Sequence, residues 1–165
     1  MVVATAAAVA AAAVDADSAW YRGLATPRWQ PPAWAFGVIW TPLYATIAWS
    51  AGRAWNQADE GERTRLAAAL AVNLSLNTAW PWVFFAAHGP RAGLAGTLLL
   101  DASNLHLIRT TSRTDRRAAP ALLPYAAWSW FATTLNAKIA RRKVSHLTDR
   151  HRWSAAVRSR APRIA

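Results

Sequence analysis

The chain has 165 residues, 54% hydrophobic and only 16% charged, with eleven tryptophans and a formal net charge of +11. An average soluble domain carries about 25% charged residues. Here the charge is gathered into patches between long uncharged stretches, as in a membrane protein. There is no cysteine, one Met and four His, which excludes disulfides, thiolate catalysis and Cys-ligated metals and leaves no metal-binding spacing.

Residues 1–14 are apolar and rich in Ala and Val, but fall short of the roughly 20 residues that cross a ~30 Å hydrocarbon core. They lack the positive start of a signal peptide. They read as a shortened first transmembrane helix, and an upstream extension of about 5–10 apolar residues is expected to complete it. The loop that follows, residues 15–32, holds Trp20, Tyr21 and Trp29, which fit an interfacial aromatic belt. Pro27, Pro31 and Pro32 stiffen it, so it could pack as a lid over a bundle. Three full-length uncharged runs come next: Trp29 to Gly52, Leu66 to Pro90, and Ala118 to Ala137. Ala92 to Ile108 is a fourth run, broken only by Asp101. The connections read as a polar loop over Arg53–Arg65, a tight turn over His88–Arg91 and a basic loop over Arg109–Arg117.

These runs predict an all-α fold, an integral membrane bundle of five transmembrane helices over residues 1–140, followed by a basic C-terminal tail over 141–165. None alternates in polarity, as a barrel strand would. No internal repeat points to an inverted-repeat transporter. With five spans, twelve Lys and Arg fall on the side of the C-terminus and seven on the other, although four of the seven crowd into Arg109–Arg117. The balance predicts a cytoplasmic C-terminus. The tail reads as a contact for anionic lipid, and no nucleic-acid partner is expected.

Helical spacing groups the candidate functional residues. Asn73, Asn77, Trp80 and Phe84 follow one another at intervals of 4, 3 and 4 and form one stripe. Amides inside lipid must find partners, so the stripe reads either as interhelical glue or as the polar wall of a pocket. Pro81 removes the hydrogen bond to the Asn77 carbonyl and predicts a kink. On the fifth segment Trp128, Ala132 and Asn136 are spaced by four, with Tyr125 three residues earlier. Trp40 and Tyr44 share a face of the second segment, near Pro42. Tryptophans this far inside spans suit packing or an aromatic pocket for a flat ligand. Asp101 is the one acid inside a predicted span. No base stands four residues on, which favours a hydrogen-bonding role over a proton relay.

These residues form a pattern. Trp20-Tyr21, then Leu24 to Phe36 with its Pro27, Trp29, Pro31, Pro32 and Trp34, then Trp40-Thr41-Pro42-Leu43-Tyr44, resemble the tryptophan-rich sensory protein (TspO/MBR) family. So do Asn73, Asn77, Trp80 and Phe84-Phe85, Leu99-Leu100-Asp101, and the segment from Leu123 to Asn136. The resemblance runs from about Trp20 to Ile139. It implies a five-helix membrane bundle, usually a homodimer, with a pocket under the first long loop that binds porphyrins and isoquinoline-type drugs. It implies a role in tetrapyrrole regulation or stress response in a bacterial cell membrane. Ligand-binding positions are then Trp40, Tyr44, Asn73, Asn77, Trp80, Tyr125, Trp128, Ala132 and Asn136. Trp40 and Trp128 are the positions tied to light-driven porphyrin degradation in the family. No Tyr stands between Leu135 and Arg142, so the sterol motif is missing and cholesterol is a doubtful partner.

Three functions follow as expectations. The chain is a membrane receptor for porphyrins; or it degrades porphyrin photochemically or oxidatively, since no acid–base dyad is present; or it transports a small molecule. Aromatic walls from Trp40, Trp80 and Trp128 would suit a flat ring, Asn73, Asn77 and Asn136 would offer hydrogen bonds, and Arg22 and Arg28 would pair with carboxylates. No cofactor and no metal is expected. Homodimerisation is expected through the Ala-rich face of the third helix, with Ala67, Ala68, Ala69 and Ala71 allowing close approach.

Overall fold

A computed structural model of the chain describes residues 1–12, 33–86 and 90–159. The described residues form five helices and no strand. They are α1 (Val2–Ala12), α2 (Ala33–Gln57), α3 (Glu60–Pro81), α4 (Pro90–Thr114) and α5 (Leu123–Ser159). A π-helical turn, Trp82–Ala86, extends α3, and a 3₁₀ turn, Ala119–Leu122, leads into α5. The all-α bundle expected from the uncharged runs is therefore what forms. The aromatic first loop, with Arg22 and Arg28, lies outside the described residues.

The helices outrun the uncharged segments. The sequence breaks at Arg53–Arg65 and Arg109–Arg117 read as loops, yet α2 continues to Gln57 and α4 to Thr114. The α2–α3 link shrinks to Ala58 and Asp59. Asp59 caps α3: its carboxylate accepts from the Glu62 N–H at 2.7 Å, and the Glu62 carboxylate accepts from the Asp59 N–H at 3.2 Å. That reciprocal pair satisfies the free donors of a helix start within a charged stretch. At Pro81 the α-helical register of α3 ends but the chain stays helical. The missing Pro81 N–H loosens the ladder, and the following residues adopt the wider π register. Beyond residue 140 the chain stays helical as part of α5.

Averaged hydropathy marks no helix among the described residues as long and apolar enough to cross a membrane. Length is not the shortfall: α2 and α4 have 25 residues each, or about 37 Å of helix. Trp, Tyr, Thr and Asn within the helices, and Arg at their ends, pull the average down. The side chains are nonetheless sorted as in a lipid-embedded bundle. Val38, Trp49, Val72, Leu98, Leu99 and Trp130 point outward, while Asn73, Asn104, Thr111 and Ser50 are almost wholly enclosed. Trp55 and Trp82, also exposed, sit near helix ends, where an aromatic belt belongs.

The main core gathers Leu43, Ile47, Ala69, Leu107, Leu122 and Tyr125 from four helices and the 3₁₀ turn. α1 packs on it through Val3 and meets α3 where the Thr78 hydroxyl donates to the Ala6 carbonyl. Ala69 therefore faces inward, leaving Ala67, Ala68 and Ala71 on the exposed side of α3. At the far end of α2 the Arg53 guanidinium pairs with Asp115 at 2.7 Å. The Ser50 hydroxyl donates to the Ala118 carbonyl at 2.9 Å. These contacts tie α2 to the α4–α5 connection. Burial raises the Asp115 pKa. The Arg117 N–H, the Arg53 charge and the Ala118 N–H outweigh it and hold the carboxyl below its ordinary value.

Candidate ligand site

Two buried amides on one face of α3 need partners, and the fold supplies them from three other helices. The Tyr44 hydroxyl donates to Asn77 Oδ1 at 2.7 Å. Asn77 Nδ2 donates to the Tyr125 hydroxyl at 3.0 Å, which in turn donates to Asn73 Oδ1 at 3.1 Å. Asn73 Nδ2 donates to Asn104 Oδ1 at 2.7 Å and to Ser103 Oγ at 3.2 Å. The result is one chain of bonds, Tyr44–Asn77–Tyr125–Asn73–Asn104, joining α2, α3, α5 and α4. Each donor meets an acceptor in the same sense along the chain, so every hydroxyl and amide in it has a fixed orientation.

Aromatic rings lie beside this chain. Trp40 packs 5.2 Å from Tyr44 and 6.1 Å from Tyr125, centroid to centroid. Trp128, one turn along α5 from Tyr125, stacks on Phe131 at 5.2 Å and packs against the same core. Trp40, Tyr44 and Trp128 are only partly buried, so their rings border the core rather than fill it. Trp40, Tyr44, Asn73, Asn77, Tyr125 and Trp128 thus come together as one unit.

Trp80 joins a different group. Its indole N–H donates to the Gly93 carbonyl at 2.9 Å, and its ring stacks on Phe84 at 5.0 Å. Phe84, Leu135 and Ile139 form a second buried cluster around it. The seam between α3 and α4 is close enough that a Cβ on Gly93 would stand 2.6 Å from the Phe84 ring, and one on Gly96 would stand 3.1 Å from Trp80. The kinked stripe of α3 therefore splits, its amides turned toward Tyr125 and its aromatic end toward α4. Asn136 is buried, and its Nδ2 donates to the carbonyl of Ala132 on its own helix at 2.9 Å. Ala132 is half-buried.

The chain of bonds ends on α4 in a residue that sequence reasoning missed. Asn104 follows Asp101 by three and Thr97 by seven, and all three are buried; the same stripe criterion used for α3 would have found it. Asp101 accepts from the Thr133 hydroxyl at 2.7 Å, which joins α4 to α5. Asp101 Oδ1, Asn104 Nδ2 and Ser129 Oγ are buried with no hydrogen-bond partner. The Asp101–Thr133 bond fixes α4 and α5 against each other along their length.

The profile of the TspO/MBR family matches residues 1–142. The chain belongs to that family. It is 32% identical to the human translocator protein over 137 residues, covering 81% of this chain and 76% of the relative. It is 34% identical to protein CrtK of Rhodobacter capsulatus, covering 84% and 88%. It is 36% identical to the tryptophan-rich protein TspO of Archaeoglobus fulgidus, covering 71% and 75%. TspO/MBR proteins are five-helix membrane bundles, so this chain is a membrane protein of the translocator or tryptophan-rich sensory type. The low averaged hydropathy of its helices follows from the aromatic and polar side chains this bundle carries.

Proposed function

We propose that the chain is an integral membrane receptor that binds a porphyrin, or a similarly flat tetrapyrrole, at the aromatic centre between α2 and α5. The supporting observation is that Tyr44 and Tyr125 are held by an uncharged hydrogen-bond chain running through four helices, with the Trp40 ring packed beside both. A flat apolar ring needs aromatic faces and a few polar groups of fixed direction. Because Asn73 and Asn77 are already bonded to tyrosine and to Asn104, their part is to orient the hydroxyls. Tyr44, whose O–H is directed at Asn77, keeps oxygen lone pairs for an N–H of the bound ring. Trp128 and Ala132 on α5 supply a wall and a space, and the receptor sits in the bacterial cell membrane with its C-terminus in the cytoplasm.

The test is an absorbance titration of detergent-purified protein with protoporphyrin, first in darkness and then under light. A saturable shift of the Soret band in darkness is expected. Its absence at every concentration would refute the reading. Progressive loss of the band in light, dependent on protein and on Trp128, would add degradation to binding.

A further inference from the structure

A groove of about 460 Å³ runs along the outer side of the α3–α4 pair. Ala68, Ala69 and Val72 of α3 line it, and their short side chains leave it open. Arg65, Arg113 and Glu62 also line it, with His106 and Thr110 on the α4 side.

The register of the two helices gives the groove a depth. The Asn73–Asn104 bond lies near the middle of the bundle and fixes α3 and α4 antiparallel. Arg65 stands eight residues before Asn73 and Arg113 nine after Asn104. Both are therefore displaced toward the same end of the bundle by roughly 12–14 Å of helix, close to half the hydrocarbon thickness of about 30 Å. The two guanidiniums fall at headgroup level, while Ala68, Val72 and His106 fall at acyl-chain depth.

The charges fit an anion there. Arg65 and Arg113 are exposed, and the ion pair among the described residues is formed elsewhere, by Arg53 and Asp115. Glu62, the one acid lining the groove, is engaged in the cap of α3 through its bond with Asp59. Two arginines with no carboxylate partner among the described residues, above the short apolar side chains of Ala68, Ala69 and Val72, match a phosphodiester with its hydrocarbon tail.

We propose that this groove binds one anionic phospholipid of the surrounding bilayer, its phosphate between Arg65 and Arg113 and an acyl chain over Ala68 and Val72. The test uses the full chain, delipidated in detergent and titrated with phosphatidylglycerol or phosphatidylcholine. Bound lipid and oligomeric mass are read by native mass spectrometry. Wild type is expected to retain one phosphatidylglycerol per protomer and to prefer it over phosphatidylcholine. The R65Q/R113Q variant should bind it roughly tenfold to thirtyfold more weakly, from the loss of two surface cations. Ala68→Leu, which keeps the charges and fills the floor, should also lose the lipid. All three positions are exposed, and unchanged far-UV circular dichroism checks the fold. Equal retention by wild type and R65Q/R113Q would overturn the proposal. So would an Ala68→Leu variant that loses dimer mass while binding phosphatidylglycerol as wild type does, since a second copy would then be the occupant.

Discussion

The indoles of Trp80 and Trp40 lie in the same bundle with different surroundings. Trp80 donates to the Gly93 carbonyl and lays its face on Phe84, and glycines at 93 and 96 let α4 close on it. Trp40 meets Tyr44 on its own helix and Tyr125 across the bundle, and those hydroxyls are held by Asn77 and Asn73. The first arrangement occupies an aromatic ring on both its face and its polar edge. The second sets its rings beside a set of oriented hydroxyls. Aromatic content alone does not mark a binding site; the marker is an aromatic ring backed by polar groups whose directions are fixed by other helices.

The contrast can be broken most severely at Tyr125. Tyr125→Phe removes the hydroxyl that accepts from Asn77 and donates to Asn73, leaving two buried amides each short of a partner. A destabilisation of about 2–3 kcal/mol is expected, read as a lower thermal midpoint in detergent, together with weaker porphyrin binding. Gly93→Ala should cost about 1–2 kcal/mol, because the added methyl meets the Phe84 ring and the seam must open. Its porphyrin affinity should stay at the wild-type value, because the Trp80–Phe84 stack involves neither Trp40 nor its ring partners Tyr44 and Tyr125. An equal loss of affinity in both variants would erase the distinction between the clusters.

Smaller effects sharpen it. Trp128→Phe keeps an aromatic wall and should lower dark affinity by about 1 kcal/mol. If the protein degrades porphyrin, the initial bleaching rate at saturation should fall much further, since Phe is harder to oxidise than Trp. The smallest effect concerns the Arg53–Asp115 clamp, far from either cluster. Asp115 has a lowered folded-state pKa, so its contribution to stability is present above the unfolded value near 3.9. It is lost as pH falls through the folded value. Asp115→Asn should flatten the loss of thermal stability on acidification below about pH 4, and leave porphyrin binding at neutral pH unchanged.

Helix existence was legible in the sequence, because uncharged runs near 20 residues leave few alternatives. The helix ends were not. Charge at Arg53 and Arg113 suggests a boundary, but both residues lie within helices, because a long cationic side chain can stand on helical backbone at the end of a bundle. Asp59 and Glu62 carried a capping signal at the right spacing that outweighs the charge break. The stripe on α3 was legible from spacing, as was the buried character of Asn73 and Asn77. Its partition was not, since which partner each residue meets depends on how α4 and α5 pack. Trp80 shares a helix face with Asn73 and Asn77, which groups it with the pocket in the sequence, but the glycines of α4 draw it into the seam. Asn136 offered an amide at helical spacing, and its bond to the Ala132 carbonyl turns Nδ2 onto its own backbone. Asn104 was in reach of the periodicity argument through Thr97 and Asp101, which place a polar stripe on α4.

The most direct test compares Trp40→Ala with Trp80→Ala, each titrated with protoporphyrin in darkness alongside wild type. Trp40→Ala is expected to weaken binding by about tenfold, as loss of an aromatic face does, while Trp80→Ala binds as wild type despite a lower thermal midpoint. Wild-type affinity in Trp40→Ala combined with lost affinity in Trp80→Ala would place the ligand at the α3–α4 seam and contradict the proposed site.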